Sequence, residues 1–282
     1  MLFLFALLGA TTALSSTDTI IPVRGGSRLE LSSAEGGITV QTWGRAAIRV
    51  QADHDEDTRI DIDQGGRAIN LRARGRYGPP EVTWRLTIPA DMALDLATRS
   101  GDVSISGTKG EVSVSTVEGN ITVEGGGGFV SLQSIEGDVA LTGSAGRISV
   151  TTVDGGITIR EATGSVRVTA TDGDIVLENI ESGDLEVTTV DGDIRFSGAI
   201  RAGGRYRLSS HDGDVTVIAP VINAEVSISS FSGDFESDYP VTFTGPNPRG
   251  RMNFTLGSGG GRLELESFDG TIALRKSAGR AP

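Results

Sequence analysis

The stretch Val112-Ser113-Val114-Ser115-Thr116-Val117-Glu118-Gly119-Asn120-Ile121-Thr122-Val123 decides the fold. With Val112 as offset 0, its apolar residues stand at offsets 0, 2, 5, 9 and 11, and Gly119 stands at offset 7. The template returns as Val130, Leu132, Ile135, Val139, Leu141 and again as Ile148, Val150, Val153, Ile157, Ile159. Outlying copies fit it too: Leu29, Leu31, Ala34, Ile38, Val40, and Leu263, Leu265, Phe268, Ile272, Leu274. Offsets 0/2 and 9/11 are period-two pairs, the pattern of a strand whose alternate side chains share one face. Val, Ile and Thr fill these positions, as strands favour. No helical period of useful length is present.

The turn glycines recur at 101, 119, 137, 155, 173, 192, 213 and 233, a spacing of 18 to 21 residues. A second series, Gly110, Gly128, Gly146, Gly164, Gly183 and Gly204, falls between them. Each unit therefore reads as strand, glycine turn, strand, glycine turn. One such pair cannot bury its apolar face alone, but stacked copies can, each unit hydrogen-bonding the next at about 4.8 Å. The expected fold is all-β: a single-chain β-solenoid, or β-helix, with two strands per rung of about 18–21 residues. The spacing leaves handedness open. Left-handed hexapeptide helices repeat apolar residues every six, which these offsets do not. The calcium-binding nonapeptide roll needs GGxGxD glycines that are missing here.

The organisation expected is a signal peptide over 1–15, irregular N-terminal rungs and cap over 16–93, a regular solenoid over 94–237, and a hairpin insertion with a C-terminal rung over 238–282. Between Trp43 and Met92 the period fails, although Ala47–Gln51, Arg59–Asp63, Ala68–Arg72 and Val82–Ile88 are strand-like. Val241–Thr244 and Arg251–Leu256, either side of Gly245-Pro246-Asn247-Pro248, predict a hairpin before the last rung. Caps are expected because an open solenoid end is an exposed strand edge.

Leu2–Leu8 is an apolar run of signal-peptide length, followed by small residues and a cleavage site near Thr11–Ser15. No Lys or Arg precedes it, and the other reading is a first strand or an interfacial helix. At about 20 residues needed, it is too short to span a bilayer as a helix. The expectation is export to the periplasm, cell envelope or extracellular space, with no transmembrane segment after cleavage. The 282 residues include no Cys, which removes disulfides, thiol catalysis and thiolate metal sites. Two His are too few for a typical zinc site. A net charge of −12 disfavours nucleic acid as a partner.

The recurrent [Ser/Thr]-x-[Asp/Glu]-Gly-[Asp/Asn]-[Ile/Val] units, following a region with a Trp and the step Leu86-Thr87-Ile88-Pro89, resemble the bacterial putative-adhesin family. That family is a domain of unknown function with Gly-Asp β-solenoid repeats. The resemblance covers roughly 29–274 and implies an envelope or secreted location. It carries over no catalytic residue.

Two acidic columns accompany the turn. Glu118, Glu136, Asp154, Asp172, Asp191 and Asp212 precede its glycine; Asp102, Asp138, Asp174, Asp193, Asp214 and Asp234 follow it. One reading is a row of weak Ca²⁺ sites at Asp138, Asp154, Asp172, Asp174, Asp191 and Asp193, since Ca²⁺ takes hard oxygen ligands. The other is turn chemistry, in which Asp and Asn bond neighbouring backbone and Gly supplies positive φ. No cofactor is otherwise expected. Paired carboxylates also admit a polysaccharide-active enzyme, a glycosidase or lyase. Every rung offers the same pair, however, and an active site should break the repeat.

His211 stands at offset 5, where other rungs place Val117, Ile135, Val153, Val190 and Phe231, and reads as a corner residue. Ser209, Ser210 and Asp212 adjoin it, but sequence neighbours seldom converge as a triad. His54, among Asp55, Glu56 and Asp57, reads as solvated. Gly125–Gly128 and Gly257–Gly261 lack the Lys-Ser/Thr of a phosphate loop and read as corners. Arg201, Arg205 and Arg207 form a small basic patch, open to a glycan or headgroup contact or simply a solvated strand face. The function expected is a non-enzymatic binding surface or structural spacer, with a glycan or cell-surface protein as the kind of partner.

Overall fold

The computed structural model describes residues 14–241 and 251–277. Leu2–Leu8, read from sequence as a signal-peptide run, and Gly245–Pro248, expected between the two strands of a hairpin, lie outside the described residues. Among the described residues there are strands and turns only, 25 strands in all, and no helix long and apolar enough to cross a membrane.

The N-terminal strands are β1 Leu14–Pro22, β2 Arg28–Glu35, β3 Ile38–Trp43, β4 Ala47–Asp55, β5 Thr58–Gly65, β6 Ala68–Gly75 and β7 Thr83–Pro89. The central strands are β8 Ala93–Ser100, β9 Val103–Thr108, β10 Val112–Glu118, β11 Ile121–Gly125, β12 Gly127–Glu136, β13 Val139–Thr142, β14 Ala145–Asp154, β15 Ile157–Arg160, β16 Thr163–Thr169, β17 Ile175–Asp191, β18 Ile194–Gly198, β19 Arg205–Asp212 and β20 Val215–Ala219. The C-terminal strands are β21 Ala224–Ser232, β22 Phe235–Ser237, β23 Arg251–Leu256, β24 Gly261–Asp269 and β25 Ile272–Lys276.

Each central rung gives one strand to each of two sheets, and like strands stack parallel and in register. Val112 pairs with Leu94 on one side and Val130 on the other; Ile121 pairs with Val103 and Val139 in the second sheet. Offsets 0, 2, 9 and 11 point inward, and Val112, Val114, Ile121 and Val123 are buried. Residues of one offset therefore form columns, and the apolar columns of the two sheets are the core.

Alternation also places offset 4 inside. Thr98, Thr116, Ser134, Thr152, Thr189, Ser210 and Ser267 make a buried hydroxyl column. Their hydroxyls donate to turn carbonyls: Thr152 to Gly155 at 3.0 Å, Ser210 to Gly192 at 2.9 Å and Ser267 to Gly213 at 2.9 Å. A buried hydroxyl needs such a partner.

The ends depart from sequence order. The rung β2–β3 lies inside the stack: Leu29 pairs with Leu94 and, on its other side, with Ile69. The non-periodic segment then turns outward and covers it, with β5–β6, β1–β4 and β4–β7 antiparallel. Three of the four strand-like runs predicted there fall wholly in strands, and the fourth does so from Thr83 onward. At the other end β24–β25 does not close the stack. β24 pairs with β19 on one side and β21 on the other, while β23 pairs antiparallel with β21 as the outer strand. Of the hairpin expected before the last rung, residues 242–250 lie outside the described residues, and Arg251–Leu256 is the strand β23. The last rung in sequence is the penultimate one in space, and the outer strand lies beyond it.

His54 is also corrected. β4 alternates inward at Ile48, Val50, Ala52 and His54, and β1 covers it. The imidazole is buried, with Nε2 3.1 Å from Thr17 Oγ1 and Nδ1 2.7 Å from the Asp55 carbonyl.

Candidate functional site

The turn at offsets 5 to 8 is the same construction in rung after rung, so one edge of the solenoid carries all the candidate cation ligands, Asp138, Asp154, Asp172, Asp174, Asp191 and Asp193. Gly137 shows why the turn is fixed. Its φ is 133°, and a Cβ there would lie 2.4 Å from the Gly119 carbonyl oxygen of the preceding rung. Only glycine meets both demands.

The column after the glycine is a ladder. Asp102 Oδ1 accepts the Asn120 N–H at 2.8 Å, Asn120 Oδ1 accepts that of Asp138 at 2.9 Å, and Asp138 Oδ1 accepts that of Gly156 at 2.8 Å. Gly156 has no side chain, and the ladder stops. It restarts from Asp174 to Asp193 at 2.9 Å, Asp193 to Asp214 at 2.8 Å and Asp214 to Thr271 at 2.7 Å. Asp138, Asp174 and Asp193, proposed from sequence as cation ligands, thus each engage one carboxylate oxygen with the next rung's backbone.

Asp154, Asp172 and Asp191 belong to the other column, before the glycine. With Glu118, Glu136, Asp212 and Asp269 they are exposed. None of these seven is in an ion pair among the described residues. No group of three His, Asp or Glu converges to hold a metal among those residues either.

Offset 5 lies on the outside of the turn. Counted from offset 0 it is odd, so alternation turns it outward. Val117, Ile135, Val153, Val190, Phe268 and Phe231 are 40%, 47%, 46%, 50%, 45% and 79% exposed. Together with the exposed Thr171 and His211 they form one continuous ridge across eight rungs, in the spatial order β10, β12, β14, β16, β17, β19, β24, β21. His211 stacks on Phe268 with centroids 4.8 Å apart, and Phe268 on Phe231 at 4.6 Å with planes 4° apart. The offset-5 column reads as apolar in sequence, yet it is a surface feature. Its parity against the 0/2 pair was the signal that places it outside.

Arg201, Arg205 and Arg207 do not form a free basic patch. Arg201 pairs with Glu181 at 2.9 Å, Arg205 with Asp184 at 3.8 Å, and Arg207 with Glu264 and Glu266 at 3.8 and 3.6 Å. Each partner lies on an adjacent rung, because stacking brings equivalent positions within reach.

Carboxylates also gather beside the C-terminal rung, where Asp214, Glu236, Asp238 and Arg275 line an open cleft. Arg275 pairs with both Glu236 and Asp238. The Lys276 N–H and the Arg275 guanidinium hold the Asp238 carboxyl below its ordinary range, which favours a carboxylate over a proton donor.

The fold and this repeated turn define a parallel β-solenoid with acid-rich edges. The family model described as Toastrack DUF4097 matches residues 127–275, and the chain belongs to that family. Among solved structures, it is similar to a putative adhesin from Bacteroides fragilis (12% identity, 94% of this chain and 98% of that one, TM-score 0.45). It is also similar to a putative adhesin from Parabacteroides distasonis (13% identity, 92% and 97%, TM-score 0.37). A third, titled a putative lipid binding protein from the same species, has 11% identity over 93% and 96%, with a TM-score of 0.33. No curated protein matches.

Proposed function

We propose that this protein is an exported, non-enzymatic binding module of the adhesin-like kind, and that the offset-5 edge is its binding surface. The observation that carries the reading is the ridge itself. Large apolar side chains that the core could have taken are aligned instead on one exposed edge, and contiguous exposed apolar surface marks interaction sites. The Leu2–Leu8 run and the absence of Cys support export. The polysaccharide-active alternative finds little support in the carboxylates. They are uniform along the repeat, engaged in the backbone ladder or, at Asp238, held ionised by the Lys276 N–H and the Arg275 guanidinium, whereas glycoside chemistry needs one carboxyl raised as an acid.

Fractionation of the native host tests this. The protein should be recovered outside the cytoplasm with its N-terminus between Leu14 and Thr19. Labelled protein should bind isolated envelopes, and the variant Ile135→Ser/Val153→Ser/Val190→Ser should lose that binding at unchanged melting temperature. A cytoplasmic protein retaining Met1, undiminished binding by the triple variant, or release of reducing sugar from an envelope polysaccharide would overturn it.

A further inference from the structure

Resting on the reading of that edge as a binding surface, we infer that its partner is a cationic amphipathic helix, one with a stripe of apolar residues flanked by Lys or Arg. Three observations point to this class.

The first is charge. Glu118, Glu136, Asp154, Asp172, Asp191, Asp212 and Asp269 stand one residue beyond the ridge, all exposed and all outside the ion pairs described. They repeat at the rung spacing of about 4.8 Å, close enough for like charges to repel. The sheet faces are built differently: Arg160 meets Glu178 at 2.8 Å and Arg167 meets Glu186 at 2.7 Å. These face acids are paired, whereas the acids of this edge are not among the described residues.

The second is an internal precedent. One rung before Val117, the ridge position is Arg99, and its guanidinium pairs with Glu35, the acid of the same column one rung earlier. Where a cation occupies the ridge line, the column acid takes it. From Val117 onward no Lys or Arg stands on the ridge line, and none pairs with the column acids among the described residues.

The third is length and spacing. Seven steps of about 4.8 Å carry the ridge roughly 34 Å from Val117 to Phe231. A helix returns one apolar side chain per turn of about 5.4 Å, against roughly 6.6–6.8 Å for same-face residues of a strand. The helical spacing lies closer to the rungs and stays in step for about four turns. A second copy of this chain would set acid column against acid column. An anionic surface would meet the same repulsion, so charge complementarity selects a cationic occupant.

The probe is a synthetic 18-residue helix with a leucine stripe and lysine flanks, titrated into the full chain by fluorescence anisotropy. Controls are a scrambled peptide of equal composition and the same stripe with glutamate flanks. The lysine-flanked peptide should bind at least ten-fold tighter than either control, and more weakly as salt rises. Asp154→Asn/Asp172→Asn/Asp191→Asn should weaken it about ten-fold at unchanged melting temperature. The triple Ser variant of the ridge should weaken it as much. Equal binding of the scrambled peptide, equal binding of the glutamate-flanked one, or indifference to the Asn variant would overturn the inference. So would a dimer, seen in sedimentation, that the ridge variant abolishes. In each case the edge as a binding surface would still stand if envelope binding falls in the ridge variant. It falls on its own if that binding is unaffected.

Discussion

Ile135 and Ile157 are the same residue in the same repeat, yet Ile135 is 47% exposed and Ile157 is 1% exposed. The first belongs to the edge and the second to the interior. Hydrophobicity does not separate them, and neither does period, since each recurs once per rung. What separates them is parity along the strand. Offset 9 begins the strand after the turn and points in, whereas offset 5 is the odd step after 0, 2 and 4. In a solenoid every column is copied by stacking, so a single parity decides the fate of a whole row. Here one row makes core and another makes a surface some eight rungs long.

The sharpest way to test this is to place a carboxylate in each row. Ile157→Asp buries an unpaired charge between Val139 and Ile175 and should cost about 4 kcal/mol or more in urea unfolding. Ile135→Asp should change stability by less than about 0.5 kcal/mol. Similar losses in both would erase the distinction. Two adjacent glycines extend it into the turn. Gly155 has φ 142° and a Cβ there would lie 2.4 Å from the Gly137 carbonyl oxygen, so Gly155→Asn should cost about 2–3 kcal/mol. At Gly156 a Cβ meets nothing nearer than 3.5 Å. There Asn would offer the missing acceptor to the Asp174 N–H and join the two ladder segments, so Gly156→Asn should add about 1 kcal/mol. A loss at Gly156 would show the ladder to be incidental.

Titration distinguishes the interior from the edge in another way. Tyr206 occupies offset 0 and is buried, its hydroxyl donating to the Ser182 carbonyl at 2.6 Å and accepting the Arg201 N–H at 2.9 Å. Burial raises its phenol above the ordinary value. The folded state therefore holds the neutral form longer than the unfolded chain does. Its contribution is intact below about pH 10 and is lost as pH rises through the folded value. Tyr206→Phe should flatten that alkaline decline, measured by denaturation between pH 8 and 11. A decline of unchanged steepness would assign it elsewhere. The smallest effect expected is that of calcium. With ladder oxygens bonded to backbone, millimolar Ca²⁺ or EDTA should move the melting temperature by no more than about 1 °C. A rise of several degrees that EDTA reverses would turn the columns back into cation sites.

The core was legible because offsets 0, 2, 9 and 11 repeat without exception through the middle of the chain. The ladder was legible only as a preference for Asp, Asn and Gly. That the Asp138 oxygen meets the Gly156 N–H depends on stacking, which no single rung contains. The ridge was legible as an apolar column at offset 5, but its side of the sheet follows only when parity against offsets 0 and 2 is counted. The hydroxyl column at offset 4 was hidden, since Ser and Thr read as surface. His54 was misplaced because its acidic neighbours suggested solvent, whereas β1, distant in sequence, covers it. The arrangement of the end rungs lay beyond any periodic reading, because equal spacing says which segments are rungs and not which rung they adjoin.

That arrangement has a consequence for the making of the chain. A ribosome delivers β21–β22 before β24–β25, yet β24 is the strand on which β21 sits. Stacking can follow the N-to-C emergence of the chain rung by rung as far as β20, and then must wait. At about 5–20 residues per second, some seconds pass before Lys276 has emerged and the interposed rung can enter. During that interval β19 and β20 present an open edge, and Phe231 has no Phe268 to stack against. The nascent protein is thus most exposed to unintended strand pairing just before its C-terminal rung arrives.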